Sequence, residues 1–348
     1  MSRAMPSFSV ISGETIATLI QQYRGRIVDI VRSAYLDHEL KKTINPDSYF
    51  LRFEDKPSSR IIALPAALTG DTQLSGIKWI ASYPENIQHN LPRASATLIL
   101  NQYETGYPYA CLEASLISAA RTAASAALAA NVLGPQGRHV GKIAVVGAGI
   151  IARNILEFLI DQDWRTEQLA IFDLNPQDAA RLAAHGHQLG GYHSVVAASL
   201  QDALENADLV ILATTVGTPY ITAPGSFKPG QLVLNISLRD IAPELVMAAN
   251  NVVDDVEHCM KANTSPHLAE QKYQTRDFVN GTLAQVITGQ ATLDPAKPTL
   301  FSPFGLGVLD LAVGHFVYEQ ATAAGNAHEI PGFFAETQRW STGENGNA

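Results

Sequence analysis

Cysteine is almost missing from this chain. Two residues, Cys111 and Cys259, in 348 cannot build a disulfide framework, and neither sits in a motif that would activate a thiol. Basic charge is also short: 24 Lys and Arg face 33 Asp and Glu, a net charge of −9. So acidic a chain has no global attraction to nucleic acid or to an anionic membrane, and neither partner is expected. No apolar run reads as a membrane span. The longest, Ala114 to Leu133, is largely alanine and is interrupted by Arg121. The opening Met1-Ser2-Arg3-Ala4-Met5-Pro6 leads into polar sequence, not an apolar secretory core, so a cytoplasmic location is expected by elimination. A Gly-x-Ser-x-Gly elbow is absent, which excludes that serine-nucleophile pattern. His258 and His267 have no metal-ligand spacing with the cysteines, and no metal site is expected. What is present is globular: 46% hydrophobic and 16% charged residues are enough to fold and bury a core.

The middle of the chain alternates short apolar runs with helical patterns. Strands are expected at Lys142–Val146, Leu169–Phe172, Ser194–Val196, Leu209–Ala213, Leu232–Ile236 and Val252–Val253. Helices are expected at Ile150–Asp161, Pro176–Ala184, Leu200–Asn206 and Pro243–Ala249. Continuous apolar strands alternating with helices imply a doubly wound parallel sheet covered on both faces, an α/β Rossmann fold. The outer segments read differently. Tyr49–Phe53, Arg60–Leu64 and Gly76–Ile80 are strand-like, and Ala96–Tyr103 and Tyr107–Leu112 flank the hairpin turn Glu104-Thr105-Gly106. Ser118–Leu133 reads as a helix stopped by Gly134-Pro135, and Leu306–Ala324 as another. The expectation is therefore two domains. Residues 1–130 and 303–348 form an α+β substrate and dimerisation domain with a mixed or antiparallel sheet, and 131–302 form an NAD-binding Rossmann domain. The polar tail from Ser341 is expected to fray.

Val145-Val146-Gly147-Ala148-Gly149-Ile150-Ile151-Ala152 matches the dinucleotide fingerprint in its alanine form. Gly147 permits the tight turn, Gly149 lets a pyrophosphate approach the backbone, and Ala152 allows close helix–strand packing. The helix that begins at Ile150 and Ile151 offers its free N–H groups to the phosphates. A second strand then ends in Asp173, about 20 residues on, where a carboxylate can accept hydrogen bonds from the ribose hydroxyls. That charge repels a 2′-phosphate, and Leu174-Asn175-Pro176 supplies no arginine, so NAD is favoured over NADP. The bland alternative makes Asp173 a cap for the helix at Pro176.

Several segments converge on one family. Ser118-Ala119-Ala120-Arg121-Thr122-Ala123-Ala124-Ser125, just before the fingerprint, resembles the ornithine cyclodeaminase/μ-crystallin family, and the likeness extends over nearly the whole chain. Ser48–Phe53, Gly76–Trp79, Asn235–Asp240 and Ser302–Gly307 resemble a dehydrogenase branch of it, which oxidises a secondary amine joining two amino acids and serves siderophore assembly. The resemblance implies that Arg52, Lys78 and Arg121 hold the substrate carboxylate and that Asp240 is the catalytic acid/base, with Lys78 as a possible assistant. It implies cofactor contacts for Thr122, Thr214 and Ser237, and a homodimer formed through the strand-rich domain. The stretch Ser237-Leu238-Arg239-Asp240-Ile241-Ala242-Pro243 departs from the cyclodeaminase pattern around this aspartate, which argues for a differently shaped pocket.

Physical reading supports some of these assignments independently. Arg121 is expected in the first turn of an Ala-rich buried helix, where the macrodipole disfavours a cation. A buried guanidinium needs a partner, either a bound carboxylate or a structural one such as Glu113. Arg52 and Lys78 interrupt apolar strands, where alternation would equally let them face solvent. Asp240 is otherwise an N-cap for the helix at Pro243, and Asp310 a salt bridge or cap. The expected substrate is a carboxylate-rich amino acid. Hydride removal from its α-carbon by NAD and hydrolysis of the resulting imine form the leading reading. Ornithine cyclisation, ketimine reduction and a non-catalytic ligand carrier are the alternatives.

Overall fold

The computed structural model describes residues 7–336. The tail from Ser341 and the opening Met1–Pro6 lie outside the described residues. Two eight-stranded sheets organise the molecule. In the first, the strands run in the order Ser194–Val196, Arg165–Phe172, His139–Val146, Leu209–Leu212, Leu232–Asn235, Thr299–Phe301, Asn250–Val253, Val279–Thr282. Every neighbouring pair is parallel. Leu209–Leu212 and Leu232–Asn235 are buried at every residue because helices and loops cover both faces. The chain lays two strands to one side of His139–Val146 and then returns to its other side at Leu209–Leu212. Loops part at that switch point and leave a crevice at the strand ends.

The expected parallel sheet is therefore present, with three strands longer than the sequence suggests, at His139–Val146, Arg165–Phe172 and Asn250–Val253, and with two more strands. Thr299–Phe301 slips between Leu232–Asn235 and Asn250–Val253, and Val279–Thr282 forms an edge. Pieces of three and four residues carry too little periodicity to register as strands.

The second sheet is mixed. Its path is His328–Glu329, Ser9–Ile11, Pro108–Glu113, Ala94–Gln102, Gln73–Ser82, Lys56–Thr69, Thr43–Ile44, with Tyr49–Phe53 also paired to Lys56–Thr69. Ser9–Ile11 runs parallel to Pro108–Glu113, and the other pairs are antiparallel. The hairpin turn lies where expected, with Gly106 at φ +73°. Alternation sorts the side chains strictly: Ala96, Leu98 and Leu100 are buried while Ser95 and Thr97 are exposed. Cross-strand register then places Leu64, Lys78, Leu98 and Leu112 side by side in one inward row. Lys78 occupies a leucine's place. The opposite face carries the row Tyr49, Ala63, Trp79, Thr97.

The helix Ser115–Leu133 joins the two halves. It packs on helices Arg24–Glu39, Ile150–Asp161 and Gly307–Ala323, and Ala119, Ala120, Ala123, Ala124, Ala126, Ala127, Ala129 and Ala130 are all buried. Small side chains let these helices approach closely at native density. Among the described residues it is the one helix long and apolar enough to cross a membrane. It begins at Ser115 and not at Ser118, because Glu113 accepts from the Ser115 N–H at 2.7 Å and the Leu116 N–H at 3.2 Å. Arg121 accordingly lies in the second turn, beyond the strongest part of the dipole. Glu113 is spent on this cap, so it is not the structural partner of Arg121.

Candidate functional site

The glycine turn sits at the switch point. Gly147 has φ +91°, and a Cβ there would lie 2.7 Å from the Ala213 carbonyl oxygen, so no other residue fits. At Gly149 a Cβ would meet nothing within 4 Å, which leaves room for a phosphate against the backbone. The helix Ile150–Asp161 begins without a side-chain cap, and its first N–H groups are available to an anion. Ala152 is fully buried at the helix–strand contact. Beside the turn lies a cavity of ≈ 340 Å³ lined by Ala148, Gly149, Ile150 and Arg153.

Asp173 ties this turn down. Its Oδ2 accepts from the Ala148 N–H at 2.7 Å and its Oδ1 from the Asn175 N–H at 2.8 Å. The cap of the following helix is Asn175, whose side chain accepts from the Gln177 N–H. The capping alternative for Asp173 therefore fails.

A second cleft of ≈ 240 Å³ opens between the sheets, bounded by Arg121, Thr122, Ile151, Thr214, Leu238 and Gly305 among others. At its wall lies a buried charge cluster. Lys78 Nζ donates to Asp310 Oδ2 at 2.7 Å and to Ser118 Oγ at 3.1 Å, and Arg121 Nε donates to Asp310 Oδ1 at 3.3 Å. Asp310 is thus the salt bridge anticipated for it, and both candidate cations share it. Two cations on one carboxylate leave one positive charge unmatched. Burial pushes the Lys78 ammonium down to about 8; Asp310 opposes that shift and Arg121 adds to it. The loop Pro303-Phe304-Gly305 presses the guanidinium into place. Asp254 holds that loop by accepting from the Phe304 N–H at 2.9 Å and the Gly305 N–H at 2.7 Å. Gly305 has φ +96°, and a Cβ there would stand 2.6 Å from an Arg121 terminal nitrogen.

Asp240 is also fully buried, but its partners are neutral. Thr214 Oγ1 lies 2.8 and 2.9 Å from its two oxygens, and Tyr220 Oη donates at 2.9 Å. Burial raises its carboxyl above the ordinary carboxylate range, and the Ser237, Thr214 and Tyr220 hydroxyls offset part of that rise. Burial, then the Asp240 charge, raises the Tyr220 phenol, which keeps it a donor. Ser237 Oγ stands close to the carboxyl without hydrogen-bond geometry and has no partner, as does the buried Asn235 Oδ1. Asp240 does not cap the helix at Pro243; Ala242 holds that position without a side-chain bond. Leu238, two residues before Asp240, takes φ +75°, a strained value for leucine.

Arg121, Thr122, Ile151 and Thr214 thus line one cleft. Asp240 lies behind it, bonded to Thr214, and Lys78 reaches it through Asp310, the shared partner of Arg121. Ser237 adjoins the lining residues Ile236 and Leu238, and Gly147, Gly149, Ile150 and Asp173 form the neighbouring turn. Thr122 lines the cleft, yet its hydroxyl donates to the Ser118 carbonyl at 2.7 Å within its own helix. Arg52 is not in the cluster. It is exposed on Tyr49–Phe53, with its guanidinium 5.1 Å from the Phe50 ring centre. Sequence reading missed Ser118 as a partner of Lys78 and Tyr220 as a partner of Asp240; neither lies in a motif that names such a role. Among the described residues no group of three or more His, Cys, Asp or Glu side chains is placed to hold a metal ion.

An all-parallel dinucleotide sheet with a glycine turn at its switch point, joined to a mixed sheet by a buried helix, defines a two-part α/β architecture. The chain belongs to the ornithine cyclodeaminase/mu-crystallin family, whose sequence profile matches residues 20–325. It is 31% identical over 304 residues to N-((2S)-2-amino-2-carboxyethyl)-L-glutamate dehydrogenase of Staphylococcus aureus, an alignment covering 84% of this chain and 89% of that one. An archaeal alanine dehydrogenase dimer with bound NAD superimposes with TM-score 0.83 at 25% identity, covering 94% of this chain and 100% of that one. The Δ1-pyrroline-2-carboxylate reductase of Thermococcus litoralis, in complex with NADH and L-proline, has the same fold: TM-score 0.84 at 24% identity, covering 93% of this chain and all of that one.

Proposed function

We propose that the protein is an NAD-dependent dehydrogenase that converts N-(2-amino-2-carboxyethyl)-L-glutamate, with water, to L-2,3-diaminopropionate and 2-oxoglutarate. The observation that carries this reading is the unmatched positive charge of the Lys78–Asp310–Arg121 cluster, buried in a cleft beside the glycine turn. A buried excess cation calls for an anion, and a substrate carboxylate supplies it. The similarity to the Staphylococcus aureus dehydrogenase supports this substrate class. The open backbone at Gly149 and the uncapped helix fit a bound dinucleotide. Asp173 favours NAD, since its carboxylate repels a 2′-phosphate.

When bound, the nicotinamide accepts the hydride from the glutamate α-carbon. Lys78 and Arg121 fix the α-carboxylate so that this carbon meets the nicotinamide in one orientation. Loss of hydride and of the amine proton leaves a C=N bond. Water adds to its carbon, the C–N bond breaks, and the nitrogen leaves with the diaminopropionate half while the water oxygen becomes the 2-oxo group. Asp240 takes and returns the protons of these steps. Because Thr214 lines the cleft and bonds both Asp240 oxygens, its hydroxyl is the route by which those protons pass.

The outer domain serves substrate binding and dimerisation in this reading. Its sheet presents Tyr49, 72% exposed, and Trp79, 43% exposed, in register on the face away from Lys78, a surface suited to a second copy. The diaminopropionate would feed siderophore or antibiotic assembly.

The test is a substrate panel with purified protein. NADH and 2-oxoglutarate formed from NAD+ and the conjugate, but no product from ornithine, is the expected result. Proline and ammonia from ornithine without accumulated NADH would overturn it in favour of cyclisation. NADH consumption with Δ1-pyrroline-2-carboxylate, and no oxidation of the conjugate, would make the protein a ketimine reductase. Tight ligand binding without turnover across the panel would mark a carrier.

A further inference from the structure

Four arginines converge at one end of the mixed sheet. Arg52 and Arg60 are direct cross-strand partners, and Arg60 is in turn the partner of Ser82. Arg93 donates its Nε to Ser82 Oγ at 3.3 Å. Arg239 comes from the other sheet, on the loop that carries Asp240, and donates to the Ala262 carbonyl at 3.2 and 2.8 Å. Burial depresses the Arg60 guanidinium first, and the charges of Arg93, Arg52 and Arg239 depress it further, so all three lie within electrostatic reach of it. Among the described residues no carboxylate pairs with any of the four. In a chain with nine excess negative charges, such a convergence of unmatched cations stands out. Like charges gathered on one sheet end repel unless an anion lies between them.

The position of this group relative to the cleft follows from register. Lys78, Ile80 and Ser82 alternate onto the same face of their strand, so Arg60, opposite Ser82, and Arg52, opposite Arg60, share the face of Lys78. Ser82 lies four positions beyond Lys78, about 13 Å along the strand. Leu238, which lines the cleft, is next to Arg239 in the chain.

We propose that Arg52, Arg60, Arg93 and Arg239 form a second anion subsite, which holds a substrate carboxylate remote from the reacting carbon and selects polycarboxylate ligands over monocarboxylate ones. This rests on the reaction proposed above and deepens it: in this reading Arg52 serves the far end of the substrate and not its α-carboxylate. It also adds Arg60, Arg93 and Arg239 to the residues that set specificity.

The experiment is calorimetric binding to the full-length protein loaded with NADH, which permits no oxidation. The probes are the tricarboxylate conjugate, 2-oxoglutarate and pyruvate. Wild type is expected to bind a polycarboxylate at least about tenfold more tightly than pyruvate, the worth of one well-made charged contact. Arg60→Met and Arg93→Gln are each expected to remove most of that preference and to leave pyruvate within about twofold. Arg239→Gln, on a loop, provides the same comparison should the strand variants fail to fold. Equal weakening of all probes, or none, overturns the subsite. So does a wild type without preference for polycarboxylates, whatever the variants do. If the preference depends on the arginines while NAD+ fails to oxidise the conjugate, the subsite stands and the proposed reaction falls. If the conjugate is oxidised normally by the arginine variants, the reaction stands and the subsite falls.

Discussion

Asp310 and Asp240 are both fully buried aspartates beside the same cleft, and they have opposite company. Asp310 is met by an ammonium and a guanidinium. Asp240 is met by a threonine and a tyrosine hydroxyl, and burial raises its carboxyl. A carboxylate matched by cations is a fixed anchor; a buried carboxyl surrounded by neutral donors keeps its proton to higher pH than an ordinary carboxylate and is suited to proton exchange. Pairs of groups whose surroundings separate them in this way are how one site obtains both a clamp and an acid/base. Neither residue type nor burial distinguishes the two. Only the neighbours do.

The sharpest way to break this comparison is to neutralise each in turn. Asp240→Asn is expected to cut turnover by about 10²–10⁴-fold while NAD binding persists. Its stability should hold or rise. A raised folded pKa means the native state binds the extra proton between its ordinary and raised values, so stability falls as pH climbs through that window, and removing the charge removes the cost. Asp310→Asn should do the reverse to stability, costing about 3–5 kcal/mol in chemical denaturation, because two buried cations lose their counterion. Equal destabilisation by both would erase the distinction.

Next in size is a pH effect on substrate capture. Lys78 holds its proton below about 8 and loses it above, and the unmatched positive charge of the cluster disappears with it. The kcat/KM for an anionic substrate should therefore fall as pH rises through about 8, and Lys78→Met should abolish that limb. A rise over the same range would make Lys78 a base and not a clamp. The smallest effect concerns Tyr220→Phe. Loss of one donor to Asp240 should move the acidic limb of the profile upward and reduce turnover at neutral pH by about tenfold or less, the value of one hydrogen bond to a charged group. An unmoved limb would detach Tyr220 from the proton chemistry.

Legibility in the sequence followed distance along the chain. The glycine turn, Ala152 and Asp173 lie within one βαβ unit, so spacing alone exposed them. The ion pair of Lys78 spans 232 residues, and no local pattern could show that Asp310 would meet it. Lys78 itself was visible only as a charge in an apolar strand, a pattern that solvent exposure explains equally well. The start of the Ser115–Leu133 helix was misplaced because its cap comes from Glu113, in the preceding strand, while the capping position is Ala114. Resemblance groups Arg52 with Lys78 and Arg121; the pairing of its strand to Lys56–Thr69, which no local pattern shows, also places it beside Arg60.

The lysine in the leucine row has a consequence for how the chain assembles. A one-residue slip turns every side chain of an alternating strand to the other face, but a two-residue slip keeps the apolar face inward and is opposed only weakly by apolar patterning. Here a one-residue slip would turn Lys78 to the opposite face, and a two-residue slip would carry its ammonium away from Asp310 and Ser118. Even the correct register leaves the ammonium in apolar surroundings until helices Ser115–Leu133 and Gly307–Ala323 deliver those two partners. The residue that would grip the substrate therefore also proofreads the sheet, so a misassembled molecule lacks the clamp as well as the fold.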